Sequence, residues 1–192
     1  MIPERLASLV LEGPIPEIPP QTSFLVVDDI AINRRVLTLT LEQRGLLNVR
    51  SVSSGTEAIQ AVRTADPRFD VVFMDVNMPD VDGIEATRQI RSDAGPEAPG
   101  PVIIGITGDV SASTAEACLA NGMSAVLTKP LNVPKMLQEV SQWIRARGTS
   151  SLKPGQGLQE MRLHYSLVRA ASLPLLSGVY LLLSGCMECS NE

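Results

Sequence analysis

The feature that most constrains the fold of this chain is a short apolar segment followed by a helical pattern, a unit that occurs five times between residues 24 and 147. Each apolar segment has the length of a strand and lacks the apolar–polar alternation of a half-exposed strand. Such strands are typical of a parallel sheet that helices cover on both faces. Because connections between parallel strands are right-handed, the sequence predicts an α/β fold with a doubly wound sheet of five parallel strands and five helices.

The predicted elements alternate along the chain. Strands are expected at residues 24–27, 49–52, 71–74, 102–106 and 125–127. Helices are expected between residues 30 and 44, and at 55–65, 83–91, 111–121 and 133–147. In the first helix, the spacing of Ile32, Val36 and Leu39 indicates one apolar face, which we expect to pack on the sheet.

The two ends of the chain differ from the central domain, which we expect to span residues 23–147. Residues 1–22 are rich in proline, and their 13–20 segment cannot continue a helix, which predicts an extended leader or linker. Residues 148–192 begin as a flexible linker and contain an apolar run at 173–183. That run is shorter than the roughly 20 apolar residues that span a bilayer, so we do not expect it to cross a membrane, and an interfacial helix or a docking segment stays open.

Charge and cysteine content narrow the functional classes. The formal net charge is -5, which argues against a broad nucleic-acid-binding surface on this chain. The three cysteines do not form a disulfide framework, and the first residues lack the basic and apolar segments of a signal peptide. These features predict a cytoplasmic protein.

Polar side chains follow four of the predicted strands. Asp28 and Asp29 follow the first, Asp75 the third, Thr107 the fourth and Lys129 the fifth. The carboxyl ends of parallel strands share one edge of a sheet, so these side chains should converge. Three carboxylates favour a hard cation such as Mg²⁺, and the ammonium and hydroxyl groups add a clamp for a phosphoryl group with a carboxylate as its acceptor. The sequence has no Gly-rich phosphate loop, so a nucleotide is not the expected phosphoryl source.

These residues and their neighbours resemble the response regulator receiver domain of two-component signalling. The matching positions are Asp28-Asp29, Asp75 with Met78-Pro79 and Asp82-Gly83, Thr107-Gly108 and Lys129-Pro130. The local sequence around Asp75 and Lys129 is most similar to that of receivers in hybrid histidine kinases. The resemblance covers about residues 23–147 and implies the flavodoxin-like fold of chemotaxis-regulator-like receivers.

The resemblance implies that the protein accepts a phosphoryl group in a phosphorelay. Asp75 would be the phosphoacceptor, and Mg²⁺ would be held by Asp28, Asp29, Asp75 and the backbone carbonyl of Asn77. The donor would be a phosphohistidine on a histidine kinase or a histidine phosphotransfer protein, and phosphorylation would switch partner binding. The chemistry would be limited to self-catalysed phosphoryl transfer and slow self-dephosphorylation, so the protein would not be an enzyme.

The resemblance also assigns the clamp residues. Lys129 would pair with Asp75 and then with the phosphoryl group, and its peptide bond to Pro130 would be cis. Thr107 would bind a phosphoryl oxygen. The sequence departs from the family pattern at Val126, where an aromatic residue usually couples to the threonine, so coupling through an aromatic side chain is not supported here.

Several alternatives stay open on the sequence. The chain is either a stand-alone regulator or the C-terminal receiver of a hybrid kinase, and it could dimerise through the fourth helix, fifth strand and fifth helix. A pseudo-receiver that only binds partners is a second alternative, although the intact acid cluster, Thr107 and Lys129 argue against it. A Mg²⁺-dependent phosphohydrolase that uses an aspartyl phosphate is a third, but such enzymes usually carry a second aspartate where this chain has Asn77.

Overall fold

The computed structural model of the protein describes residues 17–94 and 100–149, and within them five strands alternate with five helices. The strands are β1 (Phe24–Val27), β2 (Val49–Val52), β3 (Val71–Asp75), β4 (Val102–Thr107) and β5 (Ala125–Thr128). The helices are α1 (Ala31–Glu42), α2 (Gly55–Thr64), α3 (Gly83–Ala94), α4 (Ala112–Ala120) and α5 (Val133–Thr149). The strands form one parallel sheet in the order β2-β1-β3-β4-β5, which confirms the predicted doubly wound fold.

The register of the sheet aligns the carboxyl ends of its strands. Val27 at the end of β1 lies opposite Met74 of β3, and Thr107 at the end of β4 lies opposite Thr128 of β5. The residues that follow these positions therefore leave the sheet at the same edge. In this way the fold brings together groups that are far apart in the sequence.

The core that supports this edge is mainly aliphatic. Strands β1, β3 and β4 are buried along their whole length, and the rings of Phe24 and Phe73 stack with their centroids 6.1 Å apart. The edge strand β2 is only partly buried, as its polar Arg50 and Ser51 require. Helix α5 adds Trp143, whose side chain is buried. Close packing of this kind gives the strand ends a fixed position.

Helix α1 packs on the sheet through a different face from the predicted one. Leu37 and Leu41 are buried, whereas Ile32 is 64% exposed and Val36 is 55% exposed. Leu39 lies between the two faces and is half-buried. The buried and exposed pairs have the same i, i+4 spacing, so periodicity alone cannot decide which of them faces the sheet. The prediction that Ile32 and Val36 pack on the sheet is therefore wrong, and α1 presents apolar side chains to solvent.

The described residues include a few on either side of the expected central domain. Upstream, Thr22 is buried, and the carbonyl of Gln21 accepts a hydrogen bond from Asn48 Nδ2 at 3.3 Å. Downstream, α5 continues to Thr149. Residues 1–16 of the predicted leader and 150–192 of the predicted tail lie outside the described residues, so the three-part division stays a prediction. Among the helices of the described residues, none is both long and apolar enough to cross a membrane.

The start of α3 lies against the strand end that carries Asp75. The backbone N–H of Gly83 donates to the carbonyl of Val76 at 3.0 Å. A Cβ at residue 83 would overlap the carbonyl oxygen of Asp75. Glycine is therefore required for the helix to begin this close to the strand.

We predict that Gly83→Ala lowers the free energy of unfolding by about 1–3 kcal/mol, because the added methyl group forces α3 away from Asp75. Gly108→Ala is the matched control, since a Cβ there would meet nothing within 4 Å. Urea denaturation of both variants measures the difference. Equal stability of the two variants would show that the close approach at Gly83 relaxes freely.

Candidate functional site

Three carboxylates meet at the carboxyl edge of the sheet, as the sequence predicts. Asp28 and Asp29 lie in the loop between β1 and α1, and Asp75 is the last residue of β3. One carboxylate oxygen from each of them lies within 4.8 Å of those of the other two. Asp28 and Asp75 are buried, whereas Asp29 is exposed. The cluster therefore opens to solvent on the side of Asp29.

Lys129 joins two of these carboxylates from the loop that follows β5. Its Nζ donates to Asp28 Oδ2 at 3.0 Å and to Asp75 Oδ2 at 2.9 Å. Its backbone N–H donates to the carbonyl of Thr107 at 2.7 Å, which ties this loop to the end of β4. The peptide bond between Lys129 and Pro130 is cis, as the resemblance implied. An ammonium carries three N–H donors, so one is left after these two hydrogen bonds.

The hydroxyl of Thr107 lies close to the cluster and is fully buried. Its Oγ1 accepts hydrogen bonds from the backbone N–H of Asp109 at 3.0 Å and from Asn77 Nδ2 at 3.4 Å. The backbone N–H of Asn77 in turn donates to Asp75 Oδ1 at 3.3 Å. Because both contacts of Thr107 use the lone pairs of its oxygen, its O–H proton is left to donate to an incoming oxygen.

Burial and charge crowding shift the titration of the central groups. Burial raises the pKa of Asp75, the hydrogen bond from Lys129 opposes this, and the negative charge of Asp28 adds to it. Burial alone would lower the pKa of Lys129, but its hydrogen bonds and attraction to Asp75 and Asp28 raise it, so the ammonium stays charged. Three carboxylates and one ammonium leave an excess of negative charge at the site.

This excess of negative charge fits a divalent cation. The candidate ligand atoms are carboxylate oxygens, which Mg²⁺ prefers to nitrogen or sulfur ligands. Mg²⁺ also retains several water ligands, and the exposure of Asp29 leaves room for water on that side. The acidic cluster therefore matches the chemistry of Mg²⁺.

Two residues of α1 that the sequence did not indicate hold the acid pair. Asn33 Nδ2 donates to Asp28 Oδ1 at 3.0 Å and to Asp28 Oδ2 at 3.1 Å. Arg34 Nη1 donates to the backbone carbonyl of Asp28 at 2.7 Å and to that of Asp29 at 3.1 Å. The available signal was their place near the start of a helix, where polar side chains can reach back to the preceding loop.

A chain of hydrogen bonds connects Thr107 to helix α4. The backbone N–H of Asp109 donates to Thr107, while the Asp109 carboxylate accepts from Ser111 N at 2.8 Å, from Ser111 Oγ at 2.9 Å and from Thr114 Oγ1. These hydrogen bonds, that of Thr114 above all, hold the pKa of Asp109 below its ordinary value. On the neighbouring strand β5, Val126 is partly buried and packs against the core. Asp109 is thus hydrogen-bonded both to Thr107 and to the first turn of α4.

Comparison with known proteins decides the family. A sequence model of the response regulator receiver domain matches residues 24–141. The chain belongs to the response regulator receiver domain family. The matched segment of the receiver domain contains the whole polar edge of the sheet, from the acid pair after β1 to the lysine after β5.

Two relatives carry this domain within much longer chains. Two-component system protein A of Emericella nidulans is 35% identical over 126 residues, which are 66% of this chain and 18% of that protein. The osmosensing histidine protein kinase SLN1 of Saccharomyces cerevisiae is 33% identical over 126 residues, which are 64% of this chain and 10% of the kinase. The chain thus spans less than a fifth of the length of either relative.

A solved receiver domain has the same architecture. The receiver domain of the histidine kinase CKI1 from Arabidopsis thaliana, complexed with Mg²⁺, is 35% identical to this chain with a TM-score of 0.56. The superposition covers 62% of this chain and 91% of that domain. The flavodoxin-like receiver fold implied by the sequence is therefore confirmed.

We predict that Lys129→Met lowers the free energy of unfolding of the receiver domain by about 1–3 kcal/mol, because it leaves the buried carboxylates of Asp28 and Asp75 without their shared cation. The control is Lys135→Met on the exposed side of α5, which should change stability by less than about 0.5 kcal/mol. Urea denaturation at neutral pH and low salt measures both. A Lys129→Met protein as stable as wild type would contradict a stabilising role for this ion pair.

Proposed function

We propose that this receiver domain accepts a phosphoryl group on Asp75 from a phosphohistidine, and that phosphorylation switches its affinity for a partner. The observation that carries this proposal is a buried carboxylate bonded to Lys129 and grouped with two further acids that can hold a cation. Such a site places an oxygen nucleophile among positive charges and hydrogen-bond donors, which transfer of a phosphoryl group requires.

The transfer step uses groups at this edge of the sheet. A carboxylate oxygen of Asp75 attacks the phosphorus atom, and the new O–P bond forms as the P–N bond to the donor's imidazole breaks. The electron pair of that bond leaves with the imidazole nitrogen. The third N–H of Lys129 and the hydroxyl of Thr107 donate to phosphoryl oxygens as the charge arrives. The domain is a phosphoacceptor: it receives the phosphoryl group itself and does not turn over any other substrate.

Asp28, Asp29, Asp75 and the backbone carbonyl of Asn77 are the groups that would hold Mg²⁺. When bound, the cation neutralises part of the charge on the phosphoryl oxygens. The crowded carboxylates support this assignment, as does the Mg²⁺ in the Arabidopsis thaliana receiver domain. Asn77 places a neutral amide where an aspartyl-phosphate hydrolase would need an acid–base group, which favours the acceptor role.

We propose a histidine kinase or a histidine phosphotransfer protein as the donor, and the name of one relative supports the kinase. The Saccharomyces cerevisiae relative is by name a histidine kinase, and the receiver-like segment is a small part of it. We therefore propose a stand-alone regulator or the C-terminal receiver of a hybrid kinase. In either case residues 1–22 would be a leader, 23–147 the receiver domain and 148–192 a linker and tail.

Helix α1 offers a docking surface for the donor. The exposed apolar residues of α1 and its N-cap, which we name the α1 apolar face, are Ile30, Ile32 and Val36, exposed by 51%, 64% and 55%. This face begins directly after Asp29, so a protein that covers it can also reach the open side of the acid cluster. The donor must bring its phosphohistidine against Asp75 and then dissociate, and a small apolar patch beside the site suits such a transient contact. We propose that the phosphohistidine protein binds the α1 apolar face.

Output is proposed at the surface formed by α4, β5 and α5. Thr107 is linked through Asp109 to the start of α4, and Lys129 precedes α5. A Thr107 hydroxyl that turns to a phosphoryl oxygen would draw the Asp109 backbone and the first turn of α4 with it. Because Val126 supplies no aromatic ring on this surface, the conformational change would be carried by the backbone. The same surface is the proposed contact in a homodimer.

We predict that the wild-type protein gains one phosphoryl group from acetyl phosphate and Mg²⁺, and that Asp75→Asn does not. The single carbonyl oxygen of asparagine can still accept the hydrogen bond from Lys129, whose ammonium also keeps its bond to Asp28, so the variant should fold. Asp93→Asn, which changes an exposed acid of α3, is the control and should be phosphorylated normally. Intact-protein mass spectrometry measures the uptake.

Each alternative gives a different result in this experiment. Labelling that persists in Asp75→Asn would contradict the acceptor assignment. A wild-type protein that gains no phosphoryl group and releases no phosphate would be a partner-binding pseudo-receiver. Continuous release of phosphate without a phosphoprotein would indicate a hydrolase.

We predict that the double variant Ile32→Glu/Val36→Glu slows phosphoryl transfer from a phosphorylated histidine phosphotransfer protein by about tenfold or more. Phosphorylation by acetyl phosphate should keep its wild-type rate, because the acid cluster is unchanged. Leu47→Glu is the control, because Leu47 is 74% exposed. It precedes β2 and so lies at the amino ends of the strands, away from the acid cluster at their carboxyl ends. The docking assignment fails if both donors are slowed equally, or if transfer from the protein donor is unaffected.

A further inference from the structure

The two members of the acid pair are oriented by different means. The Asp28 carboxylate accepts hydrogen bonds from the backbone N–H of Ile30 at 2.9 Å, from Asn33 Nδ2 and from Lys129 Nζ. Asp29 is exposed, and among the described residues no hydrogen bond to its carboxylate oxygens is found. The direction of the Asp29 side chain therefore depends on the backbone that carries it.

Arg34 holds that backbone. Its Nη1 donates to the two consecutive carbonyls of Asp28 and Asp29, at 2.7 and 3.1 Å. Because a peptide unit is planar, two carbonyls aimed at one nitrogen fix the orientation of two successive planes, and with them the direction of the Cα–Cβ bond of Asp29.

The side chain of Arg34 contacts the β1–α1 loop, and the residue is partly buried. Hydrogen bonds from Ser53 lower the pKa of Glu57 in the first turn of α2, and the charge of Arg34 lowers it further. Ser53 N and Ser53 Oγ hold the Glu57 carboxylate at 2.8 and 3.0 Å. The charge of Arg34 thus acts on a hydrogen-bonded acid in the first turn of α2.

We propose that Arg34 is a positioning residue for Mg²⁺: its hydrogen bonds to the carbonyls of Asp28 and Asp29 keep the Asp29 carboxylate directed at the cation site. This inference rests on the Mg²⁺ site of the proposed function and assigns to Arg34 no contact with the cation. Groups that orient metal ligands in this way typically change metal affinity by 10- to 100-fold when they are removed.

The direction in which Mg²⁺ affinity changes when Arg34 is removed separates a positioning role from a purely electrostatic one. Arg34 is a cation next to a cation site, so by Coulomb's law its removal alone would strengthen Mg²⁺ binding. Loss of the carbonyl hydrogen bonds would instead free the Asp29 backbone and weaken binding. A weaker Mg²⁺ affinity on removal of a positive charge is therefore the signature of the positioning role.

The test is isothermal titration calorimetry of the full chain with MgCl₂, using wild type, Arg34→Gln, Arg34→Lys and Arg35→Gln. We expect the dissociation constant of Mg²⁺ to rise about tenfold in Arg34→Gln. Arg34→Lys should stay within about threefold of wild type, because an ammonium can also donate to both carbonyls. Arg35→Gln removes the same charge from an exposed neighbouring position and should leave the affinity unchanged or slightly improved. At saturating Mg²⁺, Arg34→Gln should reach the wild-type rate of phosphorylation by acetyl phosphate, with a higher half-saturating concentration of Mg²⁺.

Several outcomes would overturn this role. Unchanged or tighter Mg²⁺ binding in Arg34→Gln would contradict it, and so would equal weakening in Arg34→Gln and Arg35→Gln. If Arg34→Gln does not fold by circular dichroism, Arg34→Met replaces it in the same titration, and failure of both to fold would make Arg34 a structural residue. Absence of Mg²⁺ binding in the wild-type protein would overturn the Mg²⁺ site itself. This outcome differs from a failure of the Arg34 role, because every variant would then give no heat of binding.

Discussion

Repulsion among three carboxylates is the interaction on which the rest of the site depends. Asp28, Asp29 and Asp75 present oxygens within 4.8 Å of one another, and two of these side chains are buried. Such a group would separate if it lay on flexible chain. It stays together because β1 and β3 are neighbouring strands whose residues are buried along their whole length. Apolar packing thus holds an arrangement that electrostatics opposes.

Lys129 offsets only part of that repulsion, and the remainder has a chemical use. One ammonium between Asp28 and Asp75 leaves negative charge that a divalent cation can neutralise. Burial raises the pKa of Asp75, which means that its ionised form is poorly solvated within the folded protein. A poorly solvated carboxylate next to an ammonium is well placed to act as a nucleophile toward a phosphoryl group. The unfavourable electrostatics of the resting site and its proposed reactivity have the same origin.

The sequence predicted the features that depend on local pattern and missed those that depend on side-chain reach. The strand ends were predictable because short apolar runs mark buried strands, and parallel topology then brings Asp75 and Lys129 to one edge. The inward face of α1 was predicted wrongly, since Ile32 and Val36 have the same spacing as the buried Leu37 and Leu41. The contacts of Arg34 were missed because they depend on one rotamer reaching back to a preceding loop. The proposed chemical roles rest on family resemblance and site geometry together. Neither the strand pattern nor burial is enough to assign them.

Helix α1 links the two events that the proposed function requires, cation binding and donor docking. Its inner end holds the acid pair through Asn33 and Arg34, while Ile32 and Val36 face outward from the same turns. A donor that binds the α1 apolar face therefore contacts the helix turn that orients two proposed Mg²⁺ ligands. If docking shifts this turn, it changes the affinity for Mg²⁺, and by thermodynamic reciprocity Mg²⁺ then changes the affinity for the donor by the same factor. A partner surface on a helix that makes no contact with the acid pair would lack this direct connection.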